Sequence, residues 1–208
     1  MNFFKRKIIM EITKEMIDHF AIRTNKHISL VQTFYMQSYQ SLKWFTNDEH
    51  VALWTRIQTH DINKFQHPLM YYYILITWKY KCLRDNIPFE VSDELNQGMI
   101  DATNLHIKNA PHHPEFWDPS FKSVNVNDRD KPSGISVDAT NMIDTCLVEM
   151  VCDWCAVSFE RGGNPKDWFN MNLNTRWHFN EEQIQLINNW IDIFWRPENI
   201  LEDDNAKF

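Results

Sequence analysis

An imidazole and a carboxylate stand side by side in the run His60-Asp61-Ile62-Asn63-Lys64-Phe65, and His27, His106, His112, His113 and Asp153 are available to join them. Imidazole nitrogen and carboxylate oxygen together suit a divalent ion such as Mn, Fe, Co, Ni, Zn or Mg. A set of this kind drawn from several helices would hold one or two ions and activate a bound water. The chemistry to look for is therefore metal-assisted attack on a substrate, provided the chain brings these groups to one point.

Residues three, four and seven apart share a helix face, so each candidate can be tested for whether it continues an apolar stripe. Leu53, Trp54 and Ile57 form such a stripe, and its next members are His60, Asp61 and Lys64. His27 falls between Phe20 and the group Leu30, Val31 and Phe34. Asp153 follows Met142, Ile143, Cys146, Leu147 and Met150 and precedes Trp154, which directs a carboxylate into an oily face. An unpaired carboxylate there would be prohibitively costly, so it must be paired, hydrogen-bonded or metal-bound. Glu149, one turn earlier, stands at the edge of that face as a further ligand or as a group that orients one.

Taken singly, each of these has an ordinary explanation: a hydrogen-bonded core histidine, or an aspartate paired with Lys64. Inward-facing His27, His60, Asp61 and Asp153 nevertheless come from three separate helices, which is how a metal site is assembled in a helical bundle. His106 closes its helix and Asn109-Ala110-Pro111-His112-His113-Pro114-Glu115-Phe116-Trp117 comes next. Prolines on both sides of His112-His113 restrict the backbone, as suits a fixed pair of ligands for a second ion; a surface histidine pair is the alternative. His19, His50, His67 and His178 lack such a context.

The elements that position these groups read as helices throughout. Only four glycines occur in 208 residues, and no alternating β-branched runs lie between turn signals. The pattern predicts helices near 12–23, 26–42, 48–65, 68–83, 92–108, 138–159, 165–172 and 180–195, an all-α single-domain bundle. Asn180 with Gln183 marks one helix start, and Asn164 before Pro165 marks another. Residues 1–24 read as an N-terminal helical extension, 25–195 as the domain, and 196–208 as an acidic tail. The proline-rich stretch from Asn109 to Val137 reads as a long loop, a place where function often resides.

With 43% apolar residues the chain can fill a substantial core, and a net charge of −7 gives no counterion-release drive toward DNA or RNA, although a local basic patch is compatible with it. Cys146, Cys152 and Cys155 crowd into one helix, poor geometry for a disulfide framework, so these and Cys82 read as small buried apolar residues in a reducing setting. No run of about 18 apolar residues is found, and the basic start of the chain has too short an apolar run for a signal peptide. A soluble, cytoplasmic protein is expected.

The ordered pattern of His27, His60-Asp61, further histidines and Asp153 resembles the HD-domain superfamily of metal-dependent phosphohydrolases, which are all-helical. The resemblance implies one metal on His27, His60, Asp61 and Asp153, with His106, His112 and His113 similar to the added histidines of two-metal members. Lys64 gives the His-Asp-x-x-Lys form, which occurs in two-metal cyclic-dinucleotide phosphodiesterases and in di-iron oxygenases of that superfamily. His27-Ile28-Ser29-Leu30-Val31, Trp54-x5-His60-Asp61-x2-Lys64-Phe65, Asn109-x2-His112-His113-Pro114-Glu115-x-Trp117 and Glu149-Met150-x2-Asp153-Trp154 also look like an uncharacterised family found in bacteria and their phages. For a phage-encoded chain the setting would be the host cytoplasm.

The expected activity is hydrolysis of a phosphate ester or anhydride, with a nucleotide as the small-molecule substrate. Asp61 would bridge metals or position the water, and Lys64 would hold phosphoryl oxygens as a point charge. A di-iron oxygenase on the same scaffold, and a non-catalytic protein that binds a nucleotide or a partner protein, are the rival expectations.

Overall fold

A computed structural model of the protein describes residues 10–123 and 137–200. Within them lie seven α-helices, α1 (Lys14–Ser38), α2 (Asn47–Gln58), α3 (Leu69–Arg84), α4 (Asp93–Asn109), α5 (Asp144–Arg161), α6 (Pro165–Asn172) and α7 (Glu181–Phe194). The protein is an all-α single-domain bundle, as its composition predicts. Two short strands, β1 (Val137–Asp138) and β2 (Trp177–His178), pair in parallel, Val137 opposite Trp177.

Local chemistry explains where the helices begin. The Thr13 hydroxyl caps α1 by accepting the Met16 N–H, and reciprocal capping boxes open α2 (Thr46 with Glu49) and α7 (Asn180 with Gln183). Asn164 caps α6 ahead of Pro165. Helix α5 ends at Gly162, whose φ of 67° lies in the left-handed region that glycine enters without a steric penalty.

Helix α5 is the axis of the bundle. It packs against α1, α2, α6 and α7, and most of its residues from Thr145 to Ser158 are buried. The main core gathers Leu30, Val31, Phe34, Leu53, Ile57, Leu147, Met150, Ile187 and Phe194, among others, from α1, α2, α5 and α7. A second core joins Met16 and Phe20 of α1 to Leu69, Tyr73, Ile74 and Leu75 of α3 and Leu95 and Met99 of α4. His27 lies on α1 between the part that serves one core and the part that serves the other. All four cysteines are buried free thiols, and burial pushes the Cys146 thiol up to about 11.

Several sequence expectations need correction. The helices expected at 12–23 and 26–42 are one, α1, because no breaker separates them and Thr24 is buried on the same stripe as Phe20 and His27. The boundary drawn between residues 24 and 25 thus falls inside a continuous helix. The helix expected over 48–65 stops at Gln58; Asp61 takes a left-handed conformation (φ 59°), and a 3-10 turn covers Ile62–Phe65. The helix expected from residue 138 begins at Asp144, since Val137–Asp138 is strand. Trp54 and Ile143 are not core: Trp54 is 39% exposed and stacks on Tyr35, and Ile143 is the 52% exposed N-cap of α5. The loop expected over 109–137 is structured as far as residue 123, with a 3-10 turn at Pro114–Phe116; residues 124–136 lie outside the described residues, as do the basic start (1–9) and the end of the acidic tail (201–208). Within the stretch expected to be tail, Pro197–Asn199 form another 3-10 turn and Ile200 packs on the main core.

Candidate metal centre

The buried stripe of α1 delivers His27, and α5 delivers Asp153 from its side facing α1. Their approach is direct: His27 Nε2 lies 3.0 Å from Asp153 Oδ1. His60 and Asp61 arrive where α2 has ended. The left-handed turn at Asp61 lets two adjacent side chains converge, whereas in a helix they would diverge by about 100°. His60 Nε2 lies 3.8 Å from both Asp61 Oδ2 and Asp153 Oδ1, and His27 Nε2 is 3.8 Å from Asp61 Oδ2. His27, His60, Asp61 and Asp153 therefore surround one point.

The other carboxylate oxygen of Asp61 faces a second group. His106 Nε2, from the last turn of α4, lies 3.1 Å from Asp61 Oδ1, and His112 Nε2 lies 3.8 Å from it. His113 Nε2 is 3.1 Å from His106 Nε2. The proline-flanked turn fixes this pair: the Trp117 indole donates to the Pro111 carbonyl at 2.8 Å, the His113 N–H donates to the Ala110 carbonyl at 2.9 Å, and His113 takes the extended conformation that a following proline requires. Asp61 thus sits between two donor clusters with one oxygen turned to each.

The outer ring nitrogens decide what the inner ones offer. His60 Nδ1 and His112 Nδ1 lie 3.0 Å and 3.2 Å from Glu149 Oε1, and a neutral ring that donates to this carboxylate from Nδ1 turns the lone pair of Nε2 inward. His106 Nδ1 is 3.1 Å from Asn63 Oδ1, and His27 Nδ1 is 3.1 Å from Glu160 Oε2. The buried His60 Nε2 and His112 Nε2 have no hydrogen-bond partner at all. Leaving such an atom unsatisfied in a core costs about 1–3 kcal/mol, and here several acceptors face one another. Ligands each about 2.1 Å from a common ion lie roughly 3.0–3.5 Å apart, close to the spacings observed. The donor set could hold a divalent cation, with His27, His60, Asp61 and Asp153 grouped on one side of the Asp61 carboxylate and His106, His112 and His113 on the other, and His60, Asp61 and His112 close enough to share one. Metal identity is open to any ion that accepts mixed nitrogen and oxygen donors.

Electrostatics favour ionised carboxylates at this point and divide the histidines. Burial disfavours charge on Asp61, yet Lys64, His60 and His106 outweigh it and hold the carboxyl well below its usual range. Burial works likewise against Asp153 and Glu149, and neighbouring histidines overcome it in both. Burial would also lower His27, but Asp153 and Glu160 prevail and raise it to about 9. His106 is pushed down to about 3 by burial and by the Lys64 charge, which keeps it a neutral ligand. Lys64 itself pairs with Asp61 Oδ2 and has the Tyr73 ring 5.0 Å away.

The centre opens on a cleft of about 1210 Å³ lined by His27, Asp61, Lys64, His106, His113 and Asp153. Arg23, Lys26, Arg84 and Arg161 also line it, together with Glu160 and Asp167.

A model of a family of unknown function, DUF5662, matches residues 16–193. The chain belongs to this family. Neither curated proteins nor solved structures give a match. The DUF5662 match spans both donor clusters and every helix that supplies them.

The structure brings His27, His60, Asp61, His106, His112, His113, Asp153 and Lys64 into one group. Glu149, expected either to ligate or to orient a ligand, turns its oxygens to His60, His112 and Arg56. Sequence reading missed Glu160, Asn63 and Arg56. Glu160 was within reach of the same periodicity argument, being seven residues after Asp153 on α5, and Arg56 lies four before His60. Asn63 lies beyond the end of α2 in the 3-10 turn, where helical spacing gives no guide.

Proposed function

We propose that the protein is a metal-dependent phosphohydrolase of HD-domain type, acting on a phosphate ester or anhydride of a small molecule, with a nucleotide as the leading candidate. The observation that carries the reading is Asp61, whose two oxygens each face a separate cluster of inward histidine nitrogens. Bound divalent ions would supply a water of lowered pKa and positive charge against phosphoryl oxygens.

The chain's own residues do the rest. Asp153 and His113 border the cleft, so a substrate can reach the centre, while His60 and His112 behind them are buried and keep bulk water out. Lys64 stands at the floor of the cleft beside Asp61, where its ammonium can pass from the carboxylate to an incoming phosphoryl oxygen. Arg23, Lys26, Arg84 and Arg161 give the wall a charge that suits an anionic substrate. Tyr73, Tyr80 and Trp168 add aromatic surface for a base or other planar group.

The test is elemental analysis of purified protein, then phosphate release from a nucleotide panel with Mn, Co, Ni or Mg. Bound metal with turnover that Asp61→Ala abolishes is the expected result. Absence of both metal and turnover, or turnover indifferent to Asp61→Ala, defeats the proposal. Iron content with O₂ consumption would instead favour the di-iron oxygenase, a reading that the histidine-rich set with its bridging carboxylate also supports.

A further inference from the structure

Glu149 touches neither the cleft nor Asp61, yet it is buried at 2% exposure in the middle of α5. A single oxygen, Oε1, lies 3.0 Å from His60 Nδ1 and 3.2 Å from His112 Nδ1. Those histidines serve different clusters: His60 faces Asp153 and Asp61 Oδ2, and His112 faces Asp61 Oδ1. The second oxygen, Oε2, accepts from Arg56 Nε at 3.1 Å, which fixes the carboxylate plane. By contrast, Glu160 contacts only His27, and Asn63 only His106, among the candidate ligands.

We infer that Glu149 is a shared positioning residue that sets the tautomer and orientation of one histidine at each of the two metal positions, so both depend on one buried side chain. The inference rests on the two-metal reading above. An amide at this position has one carbonyl oxygen and one NH₂. It could satisfy two Nδ1–H donors only by turning the NH₂ onto Arg56, where two donors would clash. In the other orientation the NH₂ takes the place of Oε1 and faces both rings, so each histidine would flip its tautomer and present N–H, not a lone pair, to its ion. Loss of a carboxylate behind a histidine ligand weakens metal affinity by about 10–100-fold.

The experiment titrates full-length, chelator-stripped protein with Co²⁺, reading the ligand-field absorption and competing with a chelator to obtain both dissociation constants. Glu149→Gln is expected to raise both by about 10–100-fold. Glu160→Gln should raise one, and Asn63→Ala should raise the other. Thermal melting of the metal-free proteins verifies that each is folded. Should Glu149→Gln fail to fold, Arg56→Ala, which frees the carboxylate but retains it, is expected to weaken both ions several-fold. If Glu149→Gln, or Arg56→Ala in its place, changes only one constant or neither, the shared role is wrong. It is equally wrong if Glu160→Gln and Asn63→Ala each weaken both ions. A wild type that takes up no Co²⁺ overturns the two-metal reading itself, a separate and distinguishable failure.

Discussion

Replacing Lys64 with methionine should destabilise the metal-free protein far more than the metal-loaded one. Lys64 pairs with Asp61 Oδ2, and the two side chains are 16% and 2% exposed. Removing one partner of a buried ion pair costs about 3–5 kcal/mol, because the remaining charge is left uncompensated. Here the lower end applies, since His27 Nε2 lies 3.8 Å from the same oxygen and carries positive charge when no metal is bound. A loss of about 3 kcal/mol in a chain of this size corresponds to a fall in Tm of roughly 6–12 °C. Methionine retains an unbranched stem of similar length, so packing against Tyr73 is largely kept. With divalent ions bound, Asp61 has stronger cationic partners than an ammonium, and the same substitution should cost little. The assay is a pair of thermal melts of wild type and Lys64→Met, one in excess chelator and one in saturating Mn²⁺. An equal Tm drop in both, or none in chelator, would refute the argument that Lys64 and metal neutralise the same carboxylate.

Three further outcomes concern other parts of the fold. Arg176 Nη2 and the Trp177 indole donate to Glu115 Oε1 at 3.0 and 3.2 Å in a buried site, so Arg176→Met should cost about 3–5 kcal/mol in urea unfolding, and adding Glu115→Leu should recover much of it. Burial works against charge on Asp118, but hydrogen bonds from Ser120 and from the Asp138 backbone N–H hold its carboxyl below the usual range. A depressed native pKa gives stability that is complete above the unfolded value near 4 and is lost as pH falls through the native one. Wild type should therefore exceed Asp118→Asn in urea midpoint at pH ~7, and the curves should converge as pH falls below the unfolded value; a gap independent of pH contradicts this. Gly162 has φ 67° and open space within 4 Å of where a Cβ would stand, so Gly162→Ala should cost only the conformational penalty of about 1–2 kcal/mol, read from the same unfolding curves.

Much of the bundle was legible because burial imposes periodicity. The run from Phe20 through His27 to Phe34 is buried in the structure, as its spacing required, and the same spacing along α5 carried Asp153 to His27. Capping residues gave the starts of α6 and α7 for a reason equally local: an orphan N–H needs an acceptor. What spacing could not give was anything set by distant partners. Two short strands exist only because Val137 and Trp177 meet across the fold, and a two-residue strand leaves no pattern to read. The sequence also offered no division of labour among acidic residues, since whether Glu149 ligates or orients depends on which atoms its two oxygens reach.

The most instructive departure is at the His60-Asp61 pair. Extending α2 through residue 65 put His60, Asp61 and Lys64 on one inward stripe, and the side chains are indeed inward, but for a different reason. A regular helix would separate His60 and Asp61 by about 100° and leave only one of them well aimed. The chain instead leaves the helix after Gln58 and takes the left-handed conformation at Asp61, a region in which aspartate is among the few non-glycine residues found with any frequency. That single turn sends His60 toward one cluster, sets Asp61 between both, and in the 3-10 turn after it brings Lys64 onto Asp61 and Asn63 behind His106. An aspartate in a sparsely populated conformation, held by a core that over-determines it, is where strain tends to gather at functional positions. It is also why a helical-wheel argument can name the right residues while missing the backbone feature that makes them a site.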